Sequence, residues 1–212
     1  MTLKVEVERF REWAATHPKD SGEWECDYDA WSGLLAAAES ALSLATLGDS
    51  EIELLLFTLA RDNECEFVRH MLEEHPSNAL LLAAAALTHP DRDARWQIAD
   101  FLGTQTHEEA RLLLRQFFTD ENEYVRRRAL LASAKHDRDF AEATAWQWVS
   151  STHEYSRLAS LSVLHELESP HQKEALDRLR NDPSEHVRNR VVKIEAGARH
   201  NLALHPTARH LL

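Results

Sequence analysis

Glycine is scarce in this chain: five of 212 residues. No G-x-G-x-x-G, no G-x-S-x-G and no P-loop can be assembled from them. That removes the phosphate-cradling loops of nucleotide enzymes and the nucleophile elbow of α/β hydrolases. Cysteine is scarcer still. Cys26 and Cys65 stand far apart without knuckle spacing. They read as thiols of a reducing compartment, with a bridge between them left open by the sequence. H-E-x-x-H is absent, and no metal or other cofactor is expected. The longest apolar run, Ala79–Leu87, is nine residues, too short to cross a bilayer. Met1–Phe10 carries Lys4, Glu6, Glu8 and Arg9, which is not a secretory leader. A cytoplasmic protein without membrane contact is the expectation.

Positive charge is also short, for the formal net charge is −12. Residues 1–64 hold 5 Lys and Arg against 14 Asp and Glu, a balance of −9; residues 65–212 hold 19 against 22, a balance of −3. Phosphate tracking wants a surplus of cations on one face. Nucleic acid is therefore not the expected partner, and a basic protein is.

What the chain does have is a period. Arg95, Arg126, Arg157 and Arg188 are spaced by 31 residues each. Six residues before them stand His89, Asp120, Ser151 and Asp182; three before stand Arg92, Glu123, Glu154 and Glu185. In three copies this reads as a capping box, with Pro90 and Pro183 at the first helical position. Helices are expected to begin near 90, 121, 152 and 183. An irregular earlier copy places Asn63, Glu66 and Arg69 at the same offsets, 26 residues before Arg95. A recurrence of this length marks helix pairs, each too small to bury its apolar face alone.

A helix turns by about 100° per residue, which sorts the columns into faces. Those one before, three after and four after the arginine are small or apolar: Val125, Ala129 and Leu130 in one copy, Val187, Val191 and Val192 in another. The arginine lies within that stripe. Its expected role is a structural ladder through Arg69, Arg95, Arg126, Arg157 and Arg188. Stems pack between repeats and guanidinium groups donate to turn carbonyls or neighbouring side chains, with Asp91 and Asn122 four residues upstream as candidate acceptors. The functional alternative is a phosphate-binding row.

The pattern D-x-x-E-x-V-R-x-x-A-L resembles the short HEAT-like repeats first described in phycobilisome lyases. Asp120, Glu123, Val125, Arg126, Ala129 and Leu130 carry the match, and Asp182, Pro183, Glu185, Val187 and Arg188 carry it again. The resemblance covers about residues 62–194. It implies an all-α, right-handed α-solenoid of helical hairpins with a non-repeating amino-terminal cap. The division expected is 1–61 acidic helical cap, 62–197 repeat array and 198–212 disordered tail. Tetratricopeptide and ankyrin signatures are absent.

In the cap, Leu3–Thr16 reads as a helix burying Val5, Phe10 and Trp13. Lys19–Asp27 reads as a loop, Asp29–Leu47 as a helix, and Ser50 with Glu53 as a capping box. Helices over Asn63–Glu74 and Ser77–Thr88 follow, then one capped by Thr106, and one over Asp137–Ser150.

Some HEAT-like proteins are iron hydroxylases using His-Glu pairs at equivalent places in their repeats. Here His107, His153 and His165 precede glutamates, but at offsets of +12, −4 and +8 from the arginine. Ligands meeting across a symmetric array would share an offset. Other relatives are DNA glycosylases that use tryptophan. Trp146 and Trp148, two apart, point different ways on a helix, so at least one belongs to the core.

The face opposite the stripe is the candidate partner surface. It holds Asp93, Trp96 and Asp100; Tyr124 and Arg127; Tyr155 and Leu158; His186 and Asn189. Aromatic residues among Asp and Arg suit protein recognition. Such second helices line the concave side of a HEAT-like solenoid. The expected function is a non-catalytic scaffold gripping a basic protein there. An immunity or antitoxin-like protein that neutralises a toxin is one form of it, and a bilin lyase-like or DNA glycosylase-like enzyme is the alternative.

Overall fold

The computed structural model describes residues 2–17 and 24–204, and the side chains at 25, 26 and 198–204 fall outside that description. Every regular element among the described residues is a helix. By contacts the chain divides into two compact units, residues 1–132 and 133–212. Contacts do not break at the expected boundary, 61/62.

Unit 1 opens with α1 (Leu3–Thr16), a single turn α2 (Trp24–Asp27), α3 (Trp31–Leu42) and α4 (Asp49–Arg61). It continues with α5 (Phe67–Met71, extended by a 3₁₀ turn to Glu74), α6 (Pro76–Ala86), α7 (Arg92–Leu102), α8 (Glu108–Gln116, extended to Thr119) and α9 (Glu123–Ser133). α1 packs on α3 and α4, and α4 on α6 and α7, so the cap and the first repeats share one core. Unit 2 holds α10 (Arg138–Trp148), α11 (Glu154–Glu166), α12 (Gln172–Leu179) and α13 (Glu185–Leu204). Here α11 is the hub, in contact with α10, α12 and α13.

The cap is organised by aromatics. Phe10 of α1 has the rings of Trp13, Trp24, Tyr28, Trp31 and Phe57 around it, at centroid distances from 5.2 to 6.0 Å. Edge-on pairs dominate, as ring quadrupoles favour. The buried face of α1 is Leu3, Glu6, Val7 and Phe10. Val5, expected inside, is 47% exposed, because residues 3, 7 and 10 lie on one side of a 3.6-residue turn and residue 5 does not.

Several helix starts depart from expectation. Trp24–Asp27 is a helical turn within the stretch read as loop; the rest of that loop, 18–23, lies outside the described residues. α3 begins two residues after Asp29 and ends at Leu42, short of Leu47. α4 follows Gly48 without any side-chain cap, so Ser50 and Glu53 form no capping box. α5 starts at Phe67 and not at Asn63, because Glu66 adopts a left-handed φ of 54° and Asp62 Oδ2 accepts the Val68 N–H at 2.6 Å. His107, not Thr106, caps α8. Beyond Gly197 the helix α13 runs on to Leu204, so residues 198–204 are helical; 205–212 lie outside the described residues.

Close approach decides one glycine. A Cβ on Gly103, at the end of α7, would stand 2.5 Å from the Ala132 Cβ and 2.8 Å from its Cα. Only a hydrogen there lets the two backbones meet.

Candidate functional site

The four regular arginines repeat one geometry. Arg95 Nη1 donates to the carbonyls of His89 and Pro90 at 2.7 and 3.1 Å. Arg126 Nη1 donates to Asp120 and Glu121 carbonyls at 2.5 and 3.1 Å. For Arg157 the acceptors are Ser151 and Thr152, and for Arg188 they are Asp182 and Pro183. Each arginine thus satisfies the two carbonyls six and five residues upstream. The candidates four residues upstream do not serve. Asp91 instead accepts from the Asp93 N–H and pairs with Arg61, and Asn122 accepts from the Tyr124 N–H.

The remaining edge of the guanidinium differs between copies. Arg95 grips Asp120 through Nε at 2.8 Å and Nη2 at 3.1 Å. Arg157 grips Asp182 the same way at 2.6 and 2.7 Å. In both, the acceptor stands 25 residues on, before the helix that follows. Arg126 and Arg188 make only their carbonyl bonds among the described residues. The place 25 residues after Arg126 is Ser151, which has no carboxylate. Arg69 breaks the pattern and turns its Nε to Glu66 of its own turn at 2.5 Å.

Asp120 and Asp182 were expected to cap first-turn amides with a glutamate reaching back. They do something else. Their Oδ1 atoms accept the N–H two residues on, from Asn122 and Ser184, at 2.7 and 2.8 Å. Ser151 does the same for His153. These are Asx- and ST-type turns standing before the helix. The helices therefore begin at 92, 123, 154 and 185, two residues later than read. Burial pushes the Asp182 carboxyl up, but the Arg157 hydrogen bonds, the Ser184 N–H and the nearby Arg157 and Arg188 charges hold it below the usual range. Its hydrogen bonds in turn raise Arg157.

The candidate partner residues fall into two sets, one in each unit. In unit 1, Trp96 was placed on an open face, yet it is only 6% exposed. Its Nε1 donates to Asp93 at 3.1 Å, Tyr124 meets it edge-on at 5.8 Å, and the Arg128 guanidinium covers its ring at 4.8 Å. Asp100 anchors Arg128. Arg127 lies over Tyr124 at 4.8 Å. Burial raises the Tyr124 phenol and lowers Arg128. The Arg126–Arg127–Arg128 run is therefore not a free row of cations, since each of its members is engaged locally. Trp96, Tyr124, Arg128 and Asp100 form a closed cluster. Arg128 was the member that sequence reasoning missed, although its place 28 residues after Asp100 could have suggested it.

Unit 2 is different. Tyr155 is exposed, and the ring of exposed His186 is near-parallel to it, 22° between planes and 6.3 Å between centroids. Leu158, one turn along α11 from Tyr155, is half-buried, and Asn189, one turn along α13 from His186, is exposed. Neither Trp146 nor Trp148 is in the core; both are half-buried. Trp146 has His171 stacked at 4.6 Å and the Arg178 guanidinium at 4.6 Å.

A cleft of about 490 Å³ opens in unit 1 beside the Arg95–Asp120 pair, with His89, Gln116 and Phe117 on its walls. Its charged residues at the pair are spent on one another. Among the described residues, no three His, Cys, Asp or Glu side chains gather as a metal-ligand set, and no helix is long and apolar enough to cross a membrane.

A family model described as HEAT repeats matches residues 79–147, which span α6 to α10. No curated protein matches the chain.

Proposed function

We propose that this chain of HEAT-like repeats is a non-catalytic scaffold that binds a basic protein partner on the second helices of unit 2, α11 and α13. HEAT repeats commonly mediate contacts between proteins and are typically non-catalytic. The observation that carries the reading is the Tyr155–His186 stack in unit 2. Two aromatic rings pair in the open, with Leu158 and Asn189 beside them, where a solvated helix face would be polar. Flat rings bordered by one apolar and one amide side chain suit a protein surface. The excess of carboxylates supports the basic character of the partner.

The test is affinity capture followed by reconstitution with the captured protein. Tyr155→Ala with Leu158→Ala is expected to leave the melting temperature nearly unchanged and to abolish capture. Equal capture by the double variant would reject this face.

A further inference from the structure

The last copy of the repeat leaves open one position that the earlier regular copies bury, and beside it a guanidinium edge that is gripped in Arg95 and Arg157 though not in Arg126. Four residues after the arginine stand Ala99, Leu130, Leu161 and Val192. The first three are at most 1% exposed; Val192 is 62% exposed. One turn away on the same helix face is Arg188. Its Nη1 holds the Asp182 and Pro183 carbonyls, as in the other three regular copies. Its Nε and Nη2 meet no carboxylate among the described residues. In Arg95 and Arg157 that same edge grips the aspartate of the turn before a following helix.

We infer that this face of α13 docks a helical hairpin of a partner protein, one whose pre-helix turn presents a carboxylate to Arg188. The chain itself supplies the precedent within unit 2. There α12 and α13 both pack on α11, where Leu161 is buried, and the turn between them delivers Asp182 to Arg157. Arg188 and Val192 repeat the receiving half of that joint. The occupant follows from complementarity. A guanidinium edge already oriented by two carbonyl bonds takes a carboxylate bidentately, and a bare valine beside it takes an apolar helix flank. This surface is separate from the Tyr155–His186 face and prefers the opposite charge, so either proposal can fail alone.

The probe is a labelled synthetic peptide with the sequence of residues 167–197, which contains the Asp182 hairpin. It is titrated against the full chain by fluorescence anisotropy. Saturable binding is expected. It weakens roughly ten- to hundredfold when Arg188→Ala is made in the chain or Asp182→Asn in the peptide. Val192→Asp in the chain weakens it as well. Absence of binding, or binding indifferent to Arg188, overturns the inference.

Because a short peptide pays for its own folding on binding, a second variant repeats residues 167–197 directly after Gly197. The copy then carries its aspartate at the 25-residue distance from Arg188. This chain is expected to melt higher than the parent and to lose that gain with Arg188→Ala. An unchanged melting temperature counts against the inference. Two other occupants are distinguishable. Self-association in sedimentation that disappears with Arg188→Ala would assign the face to a second copy. A Val192→Cys thiol that reacts slowly in the full chain but fast in a chain ending at Leu204 would assign it to residues 205–212. Either result overturns the partner hairpin.

Discussion

Arg95, Arg126, Arg157 and Arg188 share a column but not a load. Arg157 and Asp182 are both nearly sealed, with side chains 10% and 3% exposed. Removing Arg157 strands a buried carboxylate, and loss of one member of a buried pair costs about 3–5 kcal/mol. Arg126 holds two carbonyls and no carboxylate, and it is half-buried; Arg126→Ala is expected to cost about 1 kcal/mol. Chemical denaturation of the two variants should separate them clearly. Equal losses would mean that the carboxylate adds nothing to the carbonyl bonds.

The acid limb carries the same signature. Asp182 titrates below its unfolded value of about 3.9. Its contribution is therefore complete at neutral pH and fades as pH falls through the lower folded value. Asp182→Asn should be less stable at pH 7, with a flatter stability profile below about pH 4. The arginine column was legible from spacing alone. Its acceptors were within reach too, because a period of 31 less an offset of 6 gives 25, and only Asp120 and Asp182 put a carboxylate there. The two-residue delay in each helix start was less visible, since a side chain that caps a turn and one that caps a helix look identical in a sequence.

At the scale of the element, α11 ends in a way that invites a substitution. The Ser169 N–H bonds to the Leu164 carbonyl at 2.9 Å and the Glu168 N–H to the His165 carbonyl at 3.1 Å. These are the two bonds of a Schellman motif, with Glu168 at the left-handed position, φ 52°. Glycine usually fills that place, because a Cβ there costs about 1–2 kcal/mol. Glycine also frees the unfolded chain, which returns about 0.4–1 kcal/mol of the gain. Glu168→Gly is thus expected to stabilise by a few tenths to about 1 kcal/mol, and the Glu168 side chain is exposed. A lower melting temperature would show that the carboxylate has a partner in solution. Nothing in the sequence marks this turn, for S-P after Glu-Leu-Glu reads as a helix start, and the strained residue belongs to the helix before. The amino-terminal elements were harder to read for a related reason. They lack the period, and their core depends on Phe10 collecting rings from four separate segments.

For the molecule as a whole, charge divides where contacts divide. Residues 1–132 hold 25 Asp and Glu against 13 Lys and Arg, and residues 133–212 hold 11 against 11, so unit 1 carries the entire −12. This follows from composition, but it became visible only once the contacts had placed the boundary at 132/133; the sequence division at 61/62 assigns the cap 5 Lys and Arg against 12 Asp and Glu, a balance of −7, and hides the rest. A basic partner would accordingly be attracted by unit 1, whatever surface it finally contacts. Oligolysine provides a direct probe, because it has the charge of such a partner and none of its shape. In a nuclear magnetic resonance titration at low salt, the shifted amide signals should belong to residues 1–132, with those of 133–204 nearly still. Screening shortens the reach of these charges to about 8 Å at physiological ionic strength, so the shifts should shrink steeply as salt is raised to that level. Shifts spread evenly over both units, or insensitive to salt, would mean that long-range attraction to unit 1 does not govern encounter, and that a basic partner has no electrostatic reason to be preferred.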